Sequence, residues 1–131
     1  MNILVIDDDE IILFIHRTLL ENEGINIPVS YFSSAVEALH FLDEHSTNLG
    51  KTLLLLDINM PEMNGWQLLA EIESRSYAHL ISTVMVTSSV DVQDKKKAQL
   101  RYNVANFISK PITDTDIEQL RKSENLSIFF K

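Results

Sequence analysis

The chain has 131 residues, 45% of them hydrophobic and 23% charged, which suits one ordinary core and leaves no stretch for a second folded domain. A net charge of −8 repels phosphate backbones and anionic membrane surfaces, and so argues against direct nucleic-acid binding. The absence of cysteine excludes disulfides, thiolate catalysis and Cys-based metal sites.

The opening MNILVIDDDE lacks the basic start of a signal peptide, and no apolar run approaches the roughly 20 residues needed to span a bilayer. The expectation is a cytoplasmic protein with no membrane insertion. No repeat or linker divides it, so a single domain over residues 1–131 is expected, with a core of about 2–122 and a short apolar tail at 123–131.

Short apolar runs alternate with segments of helical period. Asn2 to Ile6 predicts a first strand. Glu10 to Glu23 predicts an amphipathic helix, with Ile11, Ile12, Ile15 and Leu19 on one side and Gly24 at its end. Ile27 to Phe32 predicts a second strand, and Ser34 followed by Glu37 is a capping-box signature for a second helix through Phe41 and Leu42. Thr52 to Leu56 is apolar enough for a strand buried on both faces, and a third helix follows from Gly65 to about Ser74. Ile81 to Val86 is rich in β-branched residues and predicts the fourth strand. Asp94 to Tyr102 predicts the fourth helix, Asn106 to Ile108 a short fifth strand, and Thr113 to about Asn125 the last helix. Such alternation implies a parallel sheet covered by helices on both faces, a three-layer α/β/α sandwich.

The residues that follow each apolar run then share one edge of the sheet, where ligands of open α/β folds bind. The first strand ends on Asp7-Asp8-Asp9, the third on Asp57, the fourth on Thr87-Ser88-Ser89 and the fifth on Ser109-Lys110-Pro111. Clustered carboxylates repel one another unless a cation compensates them. Asp7, Asp8 and Asp57 suit a hard divalent ion such as Mg²⁺, which takes oxygen ligands and leaves room for a phosphate oxygen. Lys110 adds a second positive charge, and the Thr87 hydroxyl can donate to an anionic oxygen. Together they describe a pocket for a phosphoryl group with Asp57 as its nucleophile. The bland alternative is that the acids cap the helix starting near Glu10, a task that suits Asp9.

The motifs ILVIDDDE, LLLLDINMPEMNGW, VMVTSS and FISKPI, in this order, resemble the receiver domain of two-component response regulators over about Asn2 to Arg121. The resemblance, to the single-domain chemotaxis-regulator type, implies a flavodoxin-like fold with strand order 2-1-3-4-5 and a cis Lys110-Pro111 bond. It implies that Asp57 accepts a phosphoryl group from a sensor histidine kinase or a histidine phosphotransfer protein. Asp8, with Asp7 beside it, would hold Mg²⁺ together with Asp57 and the backbone carbonyl of Asn59, a place Mn²⁺ can also fill. Thr87 would bond a phosphoryl oxygen and Lys110 would pair with the phosphate. Phe107 stands at the switch aromatic, often Tyr in the family, which follows Thr87; a plain core Phe is the alternative. Asn59, Ser88 and Ser89 stand where the family tunes phosphate access and dephosphorylation. Such a protein is a phosphoacceptor with self-catalysed transfer and hydrolysis, not an enzyme acting on external substrates. Its downstream partner would read the face built by the fourth helix, fifth strand and fifth helix, where Lys95, Lys96, Lys97 and Arg101 make the helix basic; a merely solvated charged face is the alternative for that run.

Two rival functions remain. An adaptor could keep the fold without phosphorylation, and a phosphohydrolase could use the same aspartate nucleophile. The second needs an acid two residues beyond Asp57, where Asn59 stands. A flavin or dinucleotide carrier lacks its glycine-rich loop, as the only glycines are Gly24, Gly50 and Gly65. His16, His40, His45 and His79 show no metal-ligand spacing and are expected at the surface or the core edge. The tail Leu126 to Phe130 is apolar enough either to pack back on the domain or to contact a partner.

Overall fold

The computed structural model describes residues 1–88, 92–101 and 103–131. Five strands, β1 (Asn2–Ile6), β2 (Val29–Phe32), β3 (Thr52–Leu56), β4 (Ile81–Thr87) and β5 (Val104–Ser109), form one parallel sheet in the order β2-β1-β3-β4-β5. The helices are α1 (Glu10–Asn22), α2 (Ala35–Glu44), α3 (Gly65–Glu73), α4 (Val92–Gln99) and α5 (Asp114–Lys122). Short 3₁₀ turns occupy Ala78–Leu80 and Ser127–Phe130. This is the expected α/β/α sandwich. No helix among the described residues is long and apolar enough to cross a membrane.

Strand alternation explains the four leucines before Asp57. Leu54 and Leu56 enter a core with Leu68, Leu69 and Ile72 of α3 and Ala38 and Leu42 of α2. Leu53 and Leu55 point the other way, into a core with Leu20 of α1 and Ile117 and Leu120 of α5. Each leucine is at most 1% exposed, so β3 is clamped from both sides.

The helix starts are chemically marked. Asp9 caps α1, its Oδ1 accepting from the amides of Ile11 at 2.9 Å and Ile12 at 3.4 Å. Asn64 and Gln67 form a reciprocal capping box on α3, and Thr113 and Asp116 do the same on α5. At α2 only the Ser34 half of the expected box forms, with Ser34 Oγ accepting from the Glu37 amide at 3.1 Å.

Several expectations need correction. In α1, Ile11 is 71% exposed and Phe14 69%, while His16 and Leu20 are buried. The side carrying Ile11 and Ile15 therefore faces outward. The run Ile11 to Ile15 is apolar all round, so its pattern has no contrast from which a phase could be read. β2 begins at Val29 rather than Ile27, the residue after Pro28, which has no amide to donate to the ladder. β5 runs longer than expected, over Val104–Ser109, because pairing with β4 continues past a register shift at Thr83/Val84. α5 stops at Lys122, and the tail turns back instead of extending the helix. Phe129 and Phe130 are each 2% exposed and join the core beneath α1 and α5, so of the two alternatives for the tail the packed one holds. The expected end of α4 at Tyr102 lies outside the described residues.

Candidate phosphoryl-acceptor site

The site grows out of the sheet register. Ile6, Leu56 and Met85 lie in one row across β1, β3 and β4, so Asp7 and Asp57 emerge side by side at the next level. The ladder extends one bond further at each: the Asp7 amide donates to the Phe32 carbonyl and the Asp57 amide to the Ile6 carbonyl, both at 3.0 Å. Both carboxylates are thus presented by backbone still tied to the neighbouring strand. Asp7 is 2% exposed and Asp57 3%.

Carboxylate oxygens of Asp7, Asp8 and Asp57 lie within 4.8 Å of one another. Asp8 is exposed while the other two are buried. Burial and the neighbouring Asp7 push the Asp57 carboxyl above its usual range, against the opposing pull of Lys110 and a hydrogen bond from the Thr87 side chain. Lys110 Nζ donates to Asp7 Oδ2 at 3.0 Å and to Asp57 Oδ2 at 3.3 Å. Burial works to lower the pKa of this ammonium, but the hydrogen bond and charge of Asp7 and the charge of Asp57 outweigh it, and the net direction is up. One lysine cannot neutralise three acids. A crowded set of oxygen donors with a charge deficit is the donor chemistry that a hard divalent cation fits.

The turn after Asp57 is shaped by close approach. A Cβ on Gly65 would stand 2.5 Å from the Asp57 carbonyl oxygen and 3.1 Å from Ile58 Cα, so only glycine lets α3 start against the strand end. The Gly65 amide donates to the Ile58 carbonyl at 2.8 Å. Glu62 turns this corner with φ of 67°, the left-handed region. Asn59 is exposed at the rim. The Lys110-Pro111 bond is cis.

The sequence-predicted residues therefore separate by position. Asp7, Asp8, Asp57, Thr87 and Lys110 converge, and Asp9 is drawn off as a cap. Asn59 and Ser88 are exposed in the segments after β3 and β4. Phe107 is half-buried and lines a cleft of about 350 Å³ between α4 and β5 with Lys95, Ala98 and Gln99. Ser89 lies outside the described residues.

Two elements around the site escaped sequence reasoning. Trp66 on α3 donates its indole N–H to Asp94 Oδ1 on α4 at 3.2 Å, with Lys97 Nζ 5.1 Å from its ring centroid. His16, expected at the surface or core edge, is 1% exposed and holds the Ile112 amide at 3.0 Å. Its spacing to Leu13 and Leu20, three before and four after, is the signal that could have placed it inward.

A sequence model described as the response regulator receiver domain matches residues 3–122. The chain belongs to the response regulator receiver family. The receiver is 32% identical over 112 residues to the transcriptional regulatory protein MalR of Bacillus subtilis, covering 85% of this chain and 44% of MalR. It is 29% identical over 123 residues to the two-component response regulator ORR8 of Oryza sativa, covering 92% of this chain and 95% of ORR8. Among solved structures, a two-component response regulator from Cytophaga hutchinsonii superposes with a TM-score of 0.81 at 26% identity, covering 92% and 93% of the two chains. A receiver protein from Dyadobacter fermentans gives 0.80 at 27%, covering 93% and 95%. The receiver thus spans less than half of MalR but nearly all of ORR8 and of both structures. Members of this family are phosphoacceptors of two-component systems rather than enzymes of external substrates.

Proposed function

We propose that Asp57 takes a phosphoryl group from a phosphohistidine of a sensor kinase or histidine phosphotransfer protein, and that the modified domain signals to a separate protein. The observation that carries this reading is the meeting of three strand-end carboxylates with Lys110 on one sheet edge. The carboxylate of Asp57 attacks phosphorus, the P–N bond breaks, and the imidazole leaves with its electron pair. Asp7, Asp8, Asp57 and the Asn59 carbonyl would hold Mg²⁺, or Mn²⁺, whose positive charge offsets that of the phosphoryl oxygens. Lys110 pairs with the transferred group, and the Thr87 hydroxyl turns from Asp57 to a phosphoryl oxygen.

The new dianion biases two conformations, and a partner reads the favoured one. In this reading Phe107, which packs against the core and also lines the cleft between α4 and β5, follows Thr87. The basic α4 with β5 and α5 is the proposed output face, and Ser88, Ser89 and Asn59 set how long the phosphoryl group lasts. The apolar Ile11 and Phe14, exposed on the helix that starts three residues after Asp7, suit contact with the phosphodonor. The whole of 1–131 acts as one cytoplasmic receiver unit in this reading.

Intact-mass spectrometry after incubation with Mg²⁺ and acetyl phosphate tests the proposal. A labile gain of one phosphoryl group is expected, absent in Asp57→Asn and in chelator. No gain, with kinase-dependent transfer also absent, would favour the phosphorylation-independent adaptor.

A further inference from the structure

His16 stands apart from the other three histidines, which are exposed. It lies on the buried side of α1, and its Nε2 accepts from the Ile112 amide at 3.0 Å, a bond between residues 96 apart in the chain. An accepting Nε2 means that the ring is neutral and carries its proton on Nδ1. Burial, the largest influence on its pKa, holds it below the usual histidine value.

What this bond secures is the segment carrying Lys110. The Lys110 amide donates to the Thr87 carbonyl at 3.1 Å, which ties the segment to β4. Pro111 has no amide to give. The next donor is Ile112, and its acceptor is His16. Thr113 then enters the α5 capping box, its amide donating to Asp116 Oδ2 at 2.9 Å. Between the end of β5 and the start of α5 the segment therefore has two backbone anchors, one on β4 and one on α1.

α1 is itself tied to the acid cluster. The Asp9 amide donates to Asp7 Oδ1 at 2.9 Å, and Asp9 caps the helix. One rigid helix thus holds Asp7 at its start and the Lys110 segment two turns later, and Lys110 Nζ closes the circuit on Asp7 Oδ2 at 3.0 Å. We infer that His16 is a positioning residue for phosphotransfer: by accepting the Ile112 amide it aims Lys110 at Asp7 and Asp57. This inference rests on the phosphoacceptor reading. An apolar residue of similar size fills the same space but leaves the amide without an acceptor, and the segment relaxes away from α1.

Three variants of the full chain test this. His16→Leu and His16→Phe remove the acceptor while keeping the volume apolar, and His16→Gln offers an amide oxygen near the place of Nε2. The first readout is the rate of phosphorylation by acetyl phosphate at saturating Mg²⁺. The second is the NMR signal of the Lys110 side-chain ammonium in metal-free protein, with the exchange protection of the Ile112 amide. The acceptor-free variants are expected to slow phosphorylation on the order of ten- to a hundredfold, the scale of an ångström-level misplacement. They should also lose the Lys110 signal, while His16→Gln recovers most of both. A folded Leu or Phe variant that keeps the wild-type rate and the Lys110 signal would overturn the inference and leave His16 as core filling. A wild-type chain that takes no phosphoryl group would remove the phosphoacceptor reading instead, and the Lys110 signal then decides the positioning alone.

Discussion

Lys110 Nζ donates to Asp57 Oδ2 at 3.3 Å across 53 residues of chain, and the two side chains are 12% and 3% exposed. An ion pair this buried sets the energetics of its surroundings from both ends.

At the acid end, Asp57 has a pKa raised by burial and by Asp7. The native state therefore binds more protons than the unfolded chain at pH just above the ordinary carboxylate value, and stability rises as pH falls through the raised pKa. In chelating buffer near neutral pH, Asp57→Asn should raise the melting temperature by several degrees, the effect of about 1 kcal/mol in a domain of this size. The gain should shrink toward pH 4, and adding Mg²⁺ should stabilise the wild type more than the variant. A lower melting temperature for Asp57→Asn would mean that Lys110 already compensates the acid fully.

At the basic end, Lys110→Met leaves two buried carboxylates facing each other. The expected loss in urea unfolding at pH 7 is about 3 kcal/mol, the scale of removing one partner from a buried pair. Because the pKa of Lys110 is raised, its contribution is complete below the ordinary lysine value and fades only as pH climbs through the raised one. Urea titrations between pH 7 and 11 should show wild-type stability holding through neutrality and falling only at the alkaline end. A loss within experimental error at pH 7 would contradict the pairing.

Gly65→Ala sets helix propensity against sterics. Alanine is the better helix former by about 1 kcal/mol, yet its Cβ would collide with the Asp57 carbonyl at 2.5 Å. The obstacle is backbone, which cannot swing aside, so a net destabilisation of about 2 kcal/mol is expected, the range of overpacking. The shift should also displace Asp57 and slow its phosphorylation. Unchanged stability together with an unchanged rate would show that the turn has slack.

Trp66 is the only tryptophan, and its indole N–H is bonded to Asp94 of α4. Among the described side chains of α4, Ala98 is the one in the buried core, and polar contacts such as this one add to the hold on the helix. Asp94→Ala should shift Trp66 emission, and phosphorylation of the wild type should move it in the same direction if α4 is displaced. An emission spectrum indifferent to both would place the output elsewhere.

The packed tail makes a prediction of its own. Phe129 is 2% exposed among Ile3, Val5 and Leu126, so Phe129→Ala should cost about 3–5 kcal/mol. Equilibrium unfolding measures this directly. A loss below about 1 kcal/mol would be the mark of a surface residue instead.

How much of this was legible beforehand depends on range in the chain. Period and end signals are local, so the sequence by itself determined the order of strands and helices, the two-faced burial of Leu53 to Leu56, and the placing of Asp57 and Lys110 at strand ends. The strand order β2-β1-β3-β4-β5 entered through the family motifs, because periodicity is silent about which strands become neighbours. Where local contrast vanished, tertiary structure decided. The all-apolar run Ile11 to Ile15 could seat α1 in several phases, and only packing on the sheet turned His16 in and Ile11 and Phe14 out. The tail was equally suited to a partner or to its own core until the gap beneath α1 and α5 took Phe129 and Phe130. Nor could spacing foretell that Trp66 meets Asp94, or that His16 meets Ile112. These pairs lie 28 and 96 residues apart, and their meeting is a property of how layers dock, whereas sequence period reports only one element at a time.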